Sequence, residues 1–303
     1  MTFFSLILAL LLERWRCGAE RNHAIALFLS LADSLERYFN TGVRRHGVAA
    51  WVAAVVPVSI LCGWIYFLLY GIHPALGWCW NIAVLYFTTS FRPLSYSLTE
   101  IREALKTGDV FLARELVTGW HGLQADGLGS GDISRVAIET GLVRAHRHLF
   151  GVIVCFAILP GPIGAVLYRQ AELLNERWGG RPDAFGDFAA KAFEIIDWLP
   201  ARATALSFAI AGNFEDAMYC WRAQAGSWAD RNQGIILASG AGALGVCLGD
   251  SLRGAGGSYY RPEVGIGDEA DLDFLQSAIG LIWRALVVWL FLLLFLEMAG
   301  LVA

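Results

Sequence analysis

The sequence is poor in charged residues and lacks the short motifs that mark the common classes of soluble enzyme. Only 17% of its 303 residues are Asp, Glu, Lys or Arg, whereas an average soluble domain has about 25%. It contains no GxxxxGKS/T phosphate loop, no GxGxxG turn between a strand and a helix, no GxSxG elbow and no HExxH motif. The sequence therefore gives no sign of a P-loop enzyme, a serine hydrolase or a zinc protease.

Clustered cysteines and an excess of positive charge are absent as well. The six cysteines are scattered and form no CxxC pair. Because zinc sites need clustered thiolates or imidazoles, we expect these cysteines to be small buried apolar side chains, and we predict no metal site. The formal net charge is −4 at pH 7, whereas domains that bind nucleic acid carry concentrated positive charge. The sequence therefore predicts no nucleic-acid partner.

The chain is rich in apolar residues, since hydrophobic residues make up 56% of it. A helix needs about 20 mostly apolar residues to cross a bilayer. The candidate spans are residues 47–72, 75–91, 149–168, 198–212, 234–249 and 285–303. Residues 1–12 form a shorter apolar segment that indicates a retained anchor. We therefore predict an all-α, polytopic helical membrane protein that has lipid as a partner.

Prolines and small residues predict irregularities within the apolar segments. His73-Pro74 ends one helix and starts the next, which makes the first two spans a hairpin. Pro160-Gly161-Pro162 interrupts the third span. Because lipid tolerates such a break only where protein or water covers it, we expect a kinked span or a re-entrant pair of half-helices. Residues 198–212 and 234–249 are rich in small residues, which predicts close packing inside a helical bundle.

Polar segments flank the predicted hairpin. Residues 13–46 and 92–147 hold more than half of the 23 Lys and Arg residues, so the positive-inside rule places both segments in the cytoplasm. Residues 98–120 are typical of two short amphipathic helices joined near Gly108, and a further helix is predicted over residues 133–148. No repeat or low-complexity linker divides the chain, which predicts one membrane-embedded domain for its whole length.

Charged residues beside the apolar segments are the first candidates for chemistry, because charges are costly in a bilayer. Asp197 and Arg202 lie where an apolar stretch begins. A positioned arginine is a good phosphate ligand, although an interfacial anchor explains the pattern equally well. Glu139 could meet a substrate amine or magnesium. The alternative that the spacing favours is an ion-pair ladder of Glu139 with Arg135 and Arg144 on the helix surface.

Two further groups are less specific. His146 and His148 are two positions apart and do not share a helix face, so we expect solvated or interfacial histidines instead of metal ligands. Asn232 leads into a run of Gly and Ala, and the glycine-rich residues 254–260 precede Arg261. Glycine lets a backbone approach an anion closely, but helix packing and a flexible loop explain the same pattern. Composition and spacing alone therefore leave the reaction open.

Several segments resemble, in order, those of the CobD/CbiB family of cobalamin-biosynthesis membrane proteins. They are SLTEIREALKTGDVFLARELV (97–117), SRVAIET (134–140), GPIGAVLYR (161–169), DWLPARATAL (197–206), NQGIILASGAGALGVCLGD (232–250) and GSYY (257–260). The pieces DWLPAR and SGAGALGVCLG are the more specific ones, and the likeness extends over roughly residues 45–300.

This resemblance implies an activity of the adenosylcobinamide-phosphate synthase type. Such an enzyme joins a corrinoid carboxylate to aminopropanol phosphate by an amide bond, with ATP and magnesium, and the corrinoid is its substrate and not a bound cofactor. The residues expected to be catalytic are Glu139, Asp197 and Arg202. The residues expected to bind substrate are Asn232 and Tyr260, carried over from the motifs, together with Arg135 and Arg261.

The chain also departs from the family pattern, which implies that the catalytic motifs are partly lost. Residues 141–151 (GLVRAHRHLFG) replace an acid–amide run, and Phe193 and Glu194 stand where the family has paired aspartates. Residues 3–15 and 209–221 resemble the AmpE family. That likeness implies the alternative of a non-catalytic sensor or regulator tied to β-lactamase induction. Either function would place a multi-pass protein in the bacterial inner membrane, with a homo-oligomer or another membrane protein left open as partner.

Overall fold

The computed structural model describes residues 2–15, 19–40, 42–122, 127–181, 183–250, 252–254, 257–259 and 261–300. The described part of the chain is almost entirely helical, which confirms the predicted all-α class. The helices are α1 Thr2–Trp15, α2 Ala19–Phe39, α3 Arg44–Ile72, α4 Pro74–Thr88, α5 Arg92–Lys106, α6 Val110–His121, α7 Ser130–Ala145, α8 Gly151–Ile158, α9 Ile163–Leu174, α10 Asp187–Ile196, α11 Trp198–Ala211, α12 Phe214–Gln224, α13 Arg231–Leu244 and α14 Leu272–Met298.

Short irregular elements lie between these helices. π-Helical turns follow α7 and α9 at His146–Phe150 and Asn175–Gly179, and a 3₁₀ turn follows α12 at Ala225–Ser227. The short strands are β1 Val246–Cys247, β2 Leu252–Gly254, β3 Gly257–Tyr259 and β4 Asp268–Glu269. Strand β1 pairs with β4 in parallel, and β2 pairs with β3 in antiparallel orientation.

Among the described residues, three helical stretches are long and apolar enough to cross a bilayer. They are Arg44–Ile72, Ser130–Ile158 and Leu272–Met298. Large apolar side chains of α3 and α14, among them Ile60, Trp64, Phe67, Phe291 and Phe295, are each more than half exposed. Water disfavours so much exposed apolar surface, whereas lipid accommodates it. The chain is therefore a helical membrane protein.

Several of the segments predicted to span are shorter or differently bounded in the structure. Helices α4, α11 and α13 have 15, 14 and 14 residues, fewer than the roughly 17 that a span needs. The predicted helix through residue 249 is wrong, because Gly245 adopts the left-handed conformation (φ 70°) and ends α13 at Leu244. The C-terminal helix begins at Leu272, ahead of the predicted residue 285.

The Pro160-Gly161-Pro162 break is confirmed, but its place in the span differs from the prediction. Helix α8 ends at Ile158 and α9 begins at Ile163, so residues 149–168 are not one helix. The apolar stretch extends backwards instead, because residues 130–158 form one helical stretch interrupted only by the π turn.

The chain divides into two compact units whose segments alternate along the sequence. Unit 1 comprises Met1–Ser90, Arg147–Pro200 and Leu292–Ala303, and unit 2 comprises Phe91–His146 and Ala201–Phe291. Each unit draws on more than one stretch of the chain.

In unit 1, α3 and α4 form the predicted hairpin. His73 lies between the two helices, and its Nδ1 accepts a hydrogen bond from the backbone N–H two residues on. Trp80 Nε1 donates to the carbonyl oxygen of Cys62 at 3.2 Å and ties α4 to α3. Helix α9 packs against α3 where Gly63 leaves room, since a β-carbon there would lie 2.5 Å from Ile163 Cδ1.

In unit 2, α5 and α6 are the predicted amphipathic pair. The turn that joins them contains Gly108, and Asp109 caps α6 by accepting a hydrogen bond from the backbone N–H of Leu112 at 3.0 Å. Because the capping carboxylate and the glycine turn are local features of the chain, the sequence predicted this pair correctly.

Helix α13 is closely packed within unit 2, as its small residues predict. A β-carbon on Gly242 would lie 2.5 Å from the carbonyl oxygen of Asp216 in α12. Ser239 Oγ donates to the carbonyl oxygen of Ala205 in α11 at 2.8 Å. Small residues thus let α13 approach the backbones of both neighbours.

Candidate functional site

Glu139 and Arg261 form a buried ion pair in unit 2. Glu139 lies within α7 and is 4% exposed, and Arg261 is 5% exposed. Arg261 Nη1 donates to Glu139 Oε2, and the backbone N–H of Gly249 donates to Oε1 at 2.8 Å. Both carboxylate oxygens are therefore occupied within the protein, which compensates for burying the charge.

The same carboxylate holds the turn at the end of the Gly/Ala run. Gly249 has a φ of 83°, and a β-carbon there would lie 2.1 Å from the carbonyl oxygen of Pro262, so no other residue fits without strain. Arg135 Nη1 lies 3.4 Å from the Gly249 carbonyl oxygen and 3.7 Å from Asp250 Oδ2. Arg135 and Glu139 of α7 therefore position the turn at residues 249–250.

Two of the predicted arrangements are wrong. Glu139, Arg135 and Arg144 form no surface ladder, because Glu139 is buried against Arg261, while Arg144 donates to the Trp120 carbonyl oxygen. The guanidinium of Arg144 also lies 5.5 Å from the centre of the Trp120 ring. His146 is not solvated, since it is buried with its Nδ1 3.0 Å from Thr204 Oγ1.

Arg202 and Asn232, which the sequence predicts as site residues, meet in unit 2. Arg202 Nη1 of α11 donates to Asn232 Oδ1 at 3.5 Å. Asn232 is buried in the first turn of α13, where Asp230 caps the helix by accepting from the backbone N–H groups of Asn232 and Gln233. This cap fixes the start of the helix and thereby the amide that Arg202 contacts.

Asp197 lies in unit 1, at the C-terminal end of α10, and is 3% exposed. Tyr168 Oη donates to Asp197 Oδ1 at 2.8 Å. Sequence reasoning did not single out Tyr168, and its only signal was its place in the motif GPIGAVLYR. Tyr260 lies outside the described residues.

The predicted residues of unit 2 suit an anion better than a metal ion. Arg261 Nε is buried and has no hydrogen-bond partner within the described part of the chain, and a guanidinium N–H is a strong donor to phosphate oxygens. Magnesium instead requires several oxygen ligands. Both oxygens of Glu139 are occupied, and Asp132 and Asp250 face Arg135 at 3.6 and 3.7 Å. These residues therefore do not fit a resident magnesium ion.

A second charged cluster, which the sequence did not predict, lies in unit 1. Glu172 is fully buried, Arg169 Nη1 donates to its Oε2, and His148 Nε2 lies 3.2 Å from its Oε1. Burial alone would raise the pKa of Glu172, but the charges of Arg169 and His148 outweigh it and lower the pKa to about 2. The available signal was the spacing of Glu172 and Glu176, four positions apart on one helix face.

Comparison with known proteins confirms the resemblance to the CobD/CbiB family. Residues 6–282 match the model of the CobD/Cbib protein family. The cobalamin biosynthesis protein CobD of Stutzerimonas stutzeri (strain A1501) is 35% identical over 300 residues, which cover 97% of each chain. The CobD of Chromobacterium violaceum is 33% identical over 295 residues, which cover 93% of this chain and 92% of that protein.

The cobalamin biosynthesis protein CbiB of Salmonella typhimurium (strain LT2) is 27% identical over 263 residues, covering 83% of this chain and 81% of that protein. No solved structure matches the chain. The matches lend no support to the AmpE alternative. Because the family model matches most of the chain and a relative is similar over nearly its full length, the chain belongs to the CobD/CbiB family.

Proposed function

We propose that this protein acts in cobalamin biosynthesis as a ligase of the adenosylcobinamide-phosphate synthase type. It would join a corrinoid carboxylate to the amine of aminopropanol phosphate. In a chain of this family, one observation carries the proposal. Arg261 is buried and held by Glu139, yet the Nε of Arg261 has no hydrogen-bond partner in the described part of unit 2. Such a group is suited to bind a phosphate of either ATP or the aminopropanol substrate.

Amide formation explains why cationic groups are needed. One oxygen of the corrinoid carboxylate must leave, and the phosphoryl or adenylyl group that ATP supplies carries it away. Negative charge develops on that group, and guanidinium groups fixed in advance stabilise it. We assign this role to Arg261 and Arg202, which are held by Glu139 and Asn232 respectively.

Glu139 has a different role in this proposal from the catalytic one that the resemblance implies. Its two oxygens already accept hydrogen bonds from Arg261 and from the backbone of Gly249, and the side chain is buried, so it is held as the partner of Arg261 and is poorly placed to take a substrate proton. Glu139 is therefore a positioning residue for Arg261 and for the turn at Gly249. Arg135 contacts the carbonyl oxygen of Gly249 and helps to position the same turn.

The resemblance also assigns Asp197 to catalysis, and we assign to it the role of the base that accepts the proton of the substrate amine. It is a buried carboxylate, and Tyr168 donates a hydrogen bond to its Oδ1. A positioned carboxylate of this kind contributes about 10²–10⁴-fold to a proton-transfer step.

Reconstitution of the reaction tests the proposal. Protein purified in detergent is mixed with adenosylcobyric acid, aminopropanol phosphate, ATP and magnesium, and the amide product is measured by mass spectrometry. We expect product with the wild type and with Arg222→Ala, whose arginine is exposed on α12, and a loss of at least about tenfold with Arg202→Ala or Arg261→Lys. Absence of both product and corrinoid binding in an absorbance titration would overturn the proposal.

We also propose that the chain is a multi-pass protein of the bacterial inner membrane, with the basic residues 13–43 and 92–122 in the cytoplasm, on the same side because the α3–α4 hairpin lies between them. Long apolar helices and the positive-inside rule support this orientation. Fusions of alkaline phosphatase and green fluorescent protein after residues 40 and 122 test it. We expect fluorescence and no phosphatase activity at both positions, and phosphatase activity at either one would contradict the orientation.

A further inference from the structure

We propose that His148, Glu172 and Glu176 of unit 1 bind a divalent transition-metal ion such as Mn²⁺ or Zn²⁺. The three residues each offer one ligand atom, an imidazole nitrogen or a carboxylate oxygen, and these atoms lie within 4.8 Å of one another. One imidazole with two carboxylates suits first-row transition metals better than Mg²⁺ or Ca²⁺, which prefer oxygen ligands alone. None of the residues predicted for the ligase reaction belongs to this set.

The distance between His148 and Glu172 fits two ligands of one ion. Their Nε2 and Oε1 atoms are 3.2 Å apart. Two ligand atoms that each lie about 2.1 Å from a metal, at octahedral or tetrahedral angles, are about 3.0–3.4 Å apart. At this distance a protonated His148 pairs with Glu172 Oε1, and no other donor reaches that oxygen among the residues that the structure describes.

That carboxylate oxygen is fully enclosed, since Glu172 is 0% exposed. When the imidazole is neutral and its Nε2 lone pair is free to bind a metal, it no longer donates to Oε1, and a buried acceptor that lacks a donor destabilises a protein by about 1–3 kcal/mol. A metal ion bound to Oε1 removes this penalty, and the other oxygen, Oε2, is already held by Arg169. The hydrogen bond from Arg169 therefore fixes the carboxylate in an orientation that presents Oε1 to His148.

The backbone departs from α-helical geometry at two of the three ligands. His148 lies in the π turn His146–Phe150, and Glu176 lies in the π turn Asn175–Gly179. Single π turns are rare and occur frequently at functional sites. The first turn is anchored, because the carbonyl oxygen of His148 accepts a hydrogen bond from the backbone N–H of Ser90 at 3.1 Å. Glu176 follows Glu172 by one helical turn, which brings the two carboxylates to one side.

The charges around the cluster predict what else the ion would bind. Arg169 and Arg147 act on Glu172 electrostatically, so the two guanidiniums already balance the two carboxylates. A bound dication adds positive charge, and three protein ligands leave at least one coordination position open. We therefore expect an anionic oxygen, such as one of inorganic phosphate, to take the open position.

Metal titration of the full-length protein in detergent tests this inference without any substrate, so its failure is distinct from failure of the proposed reaction. After treatment with a chelator, Mn²⁺ is added and bound Mn²⁺ is measured by electron paramagnetic resonance, with Zn²⁺ as competitor. We expect one saturable Mn²⁺ per chain, displaced by Zn²⁺ and bound more tightly when inorganic phosphate is present.

Variants separate the ligands from other acidic and histidine residues. His148→Ala, Glu172→Gln and Glu176→Gln should each weaken binding by at least about tenfold, while His23→Ala and Glu103→Gln, both at exposed positions, should bind like the wild type. Because Glu176 is exposed, Glu176→Gln keeps the test informative if the buried variants do not fold. No saturable Mn²⁺, or equal binding by folded Glu176→Gln and wild type, overturns the inference.

Discussion

Arg261 and Glu139 lie 122 positions apart in the chain, yet they form an ion pair in which 6% of each side chain is exposed. The pair joins the segment after the Gly/Ala run to the middle of α7. The backbone N–H of Gly249 donates a hydrogen bond to the same carboxylate. The ion pair and the turn at Gly249 therefore depend on one another.

Breaking the buried pair should destabilise unit 2. We expect Arg261→Ala or Glu139→Ala to lower the free energy of unfolding by about 3–5 kcal/mol, because each leaves one charge buried without its partner. The double variant Glu139→Leu/Arg261→Met should lose less than either single variant, since it buries no charge. Unfolding in mixed micelles measures this difference, and additive losses in the double variant would contradict the coupling.

Replacing Gly249 should disturb the turn. Gly249→Ala puts a β-carbon 2.1 Å from the Pro262 carbonyl oxygen on a residue with a φ of 83°. We expect a lower melting temperature and faster proteolysis within residues 250–262. Gly226→Ala is the matched control, because its β-carbon would meet no atom within 4 Å. Similar melting temperatures for the two variants would show that the turn tolerates a side chain.

Acid should destabilise the protein through Glu172. Burial opposes ionisation of this carboxyl, but Arg169 and His148 outweigh burial and lower the pKa from 4.5 to about 2 on folding. A lowered pKa stabilises the fold above about pH 4.5, and this contribution is lost as the pH falls towards 2. In chelator, the melting temperature of the wild type should therefore fall more steeply over this range than that of Glu172→Gln. Glu103→Gln should follow the wild type, and parallel curves for wild type and Glu172→Gln would contradict the assignment.

Within the proposed function, Tyr168 should affect the reaction through Asp197. Tyr168→Phe removes the hydrogen bond to Asp197 Oδ1, and we expect kcat to fall by about tenfold with a shifted pH profile and little change in KM. Asp197→Asn should lower kcat by about 100-fold or more, because the amide cannot accept a proton. Steady-state kinetics over a range of pH measure both, and a change confined to KM would point to a structural role instead.

Some parts of the candidate site could be predicted from the sequence and others could not. The motif residues Arg202 and Asn232 do meet, and Glu139 with Arg135 does contact the turn that follows the Gly/Ala run. The partner of Glu139 was predicted wrongly. Helical spacing favours the arginines of the same helix, α7, whereas in the folded protein Arg261 makes the ion pair with the carboxylate.

The amino-acid sequence by itself determined the helical class, the membrane character, the break at His73-Pro74 and the α5–α6 turn. These features depend on neighbouring residues, through the length of an apolar run, the missing N–H of proline or a capping carboxylate. Only the tertiary structure decided that His148 faces Glu172 and that Arg261 pairs with Glu139. Such contacts join residues that are distant in the chain, and packing of the helices, which no local pattern encodes, sets which side chains meet.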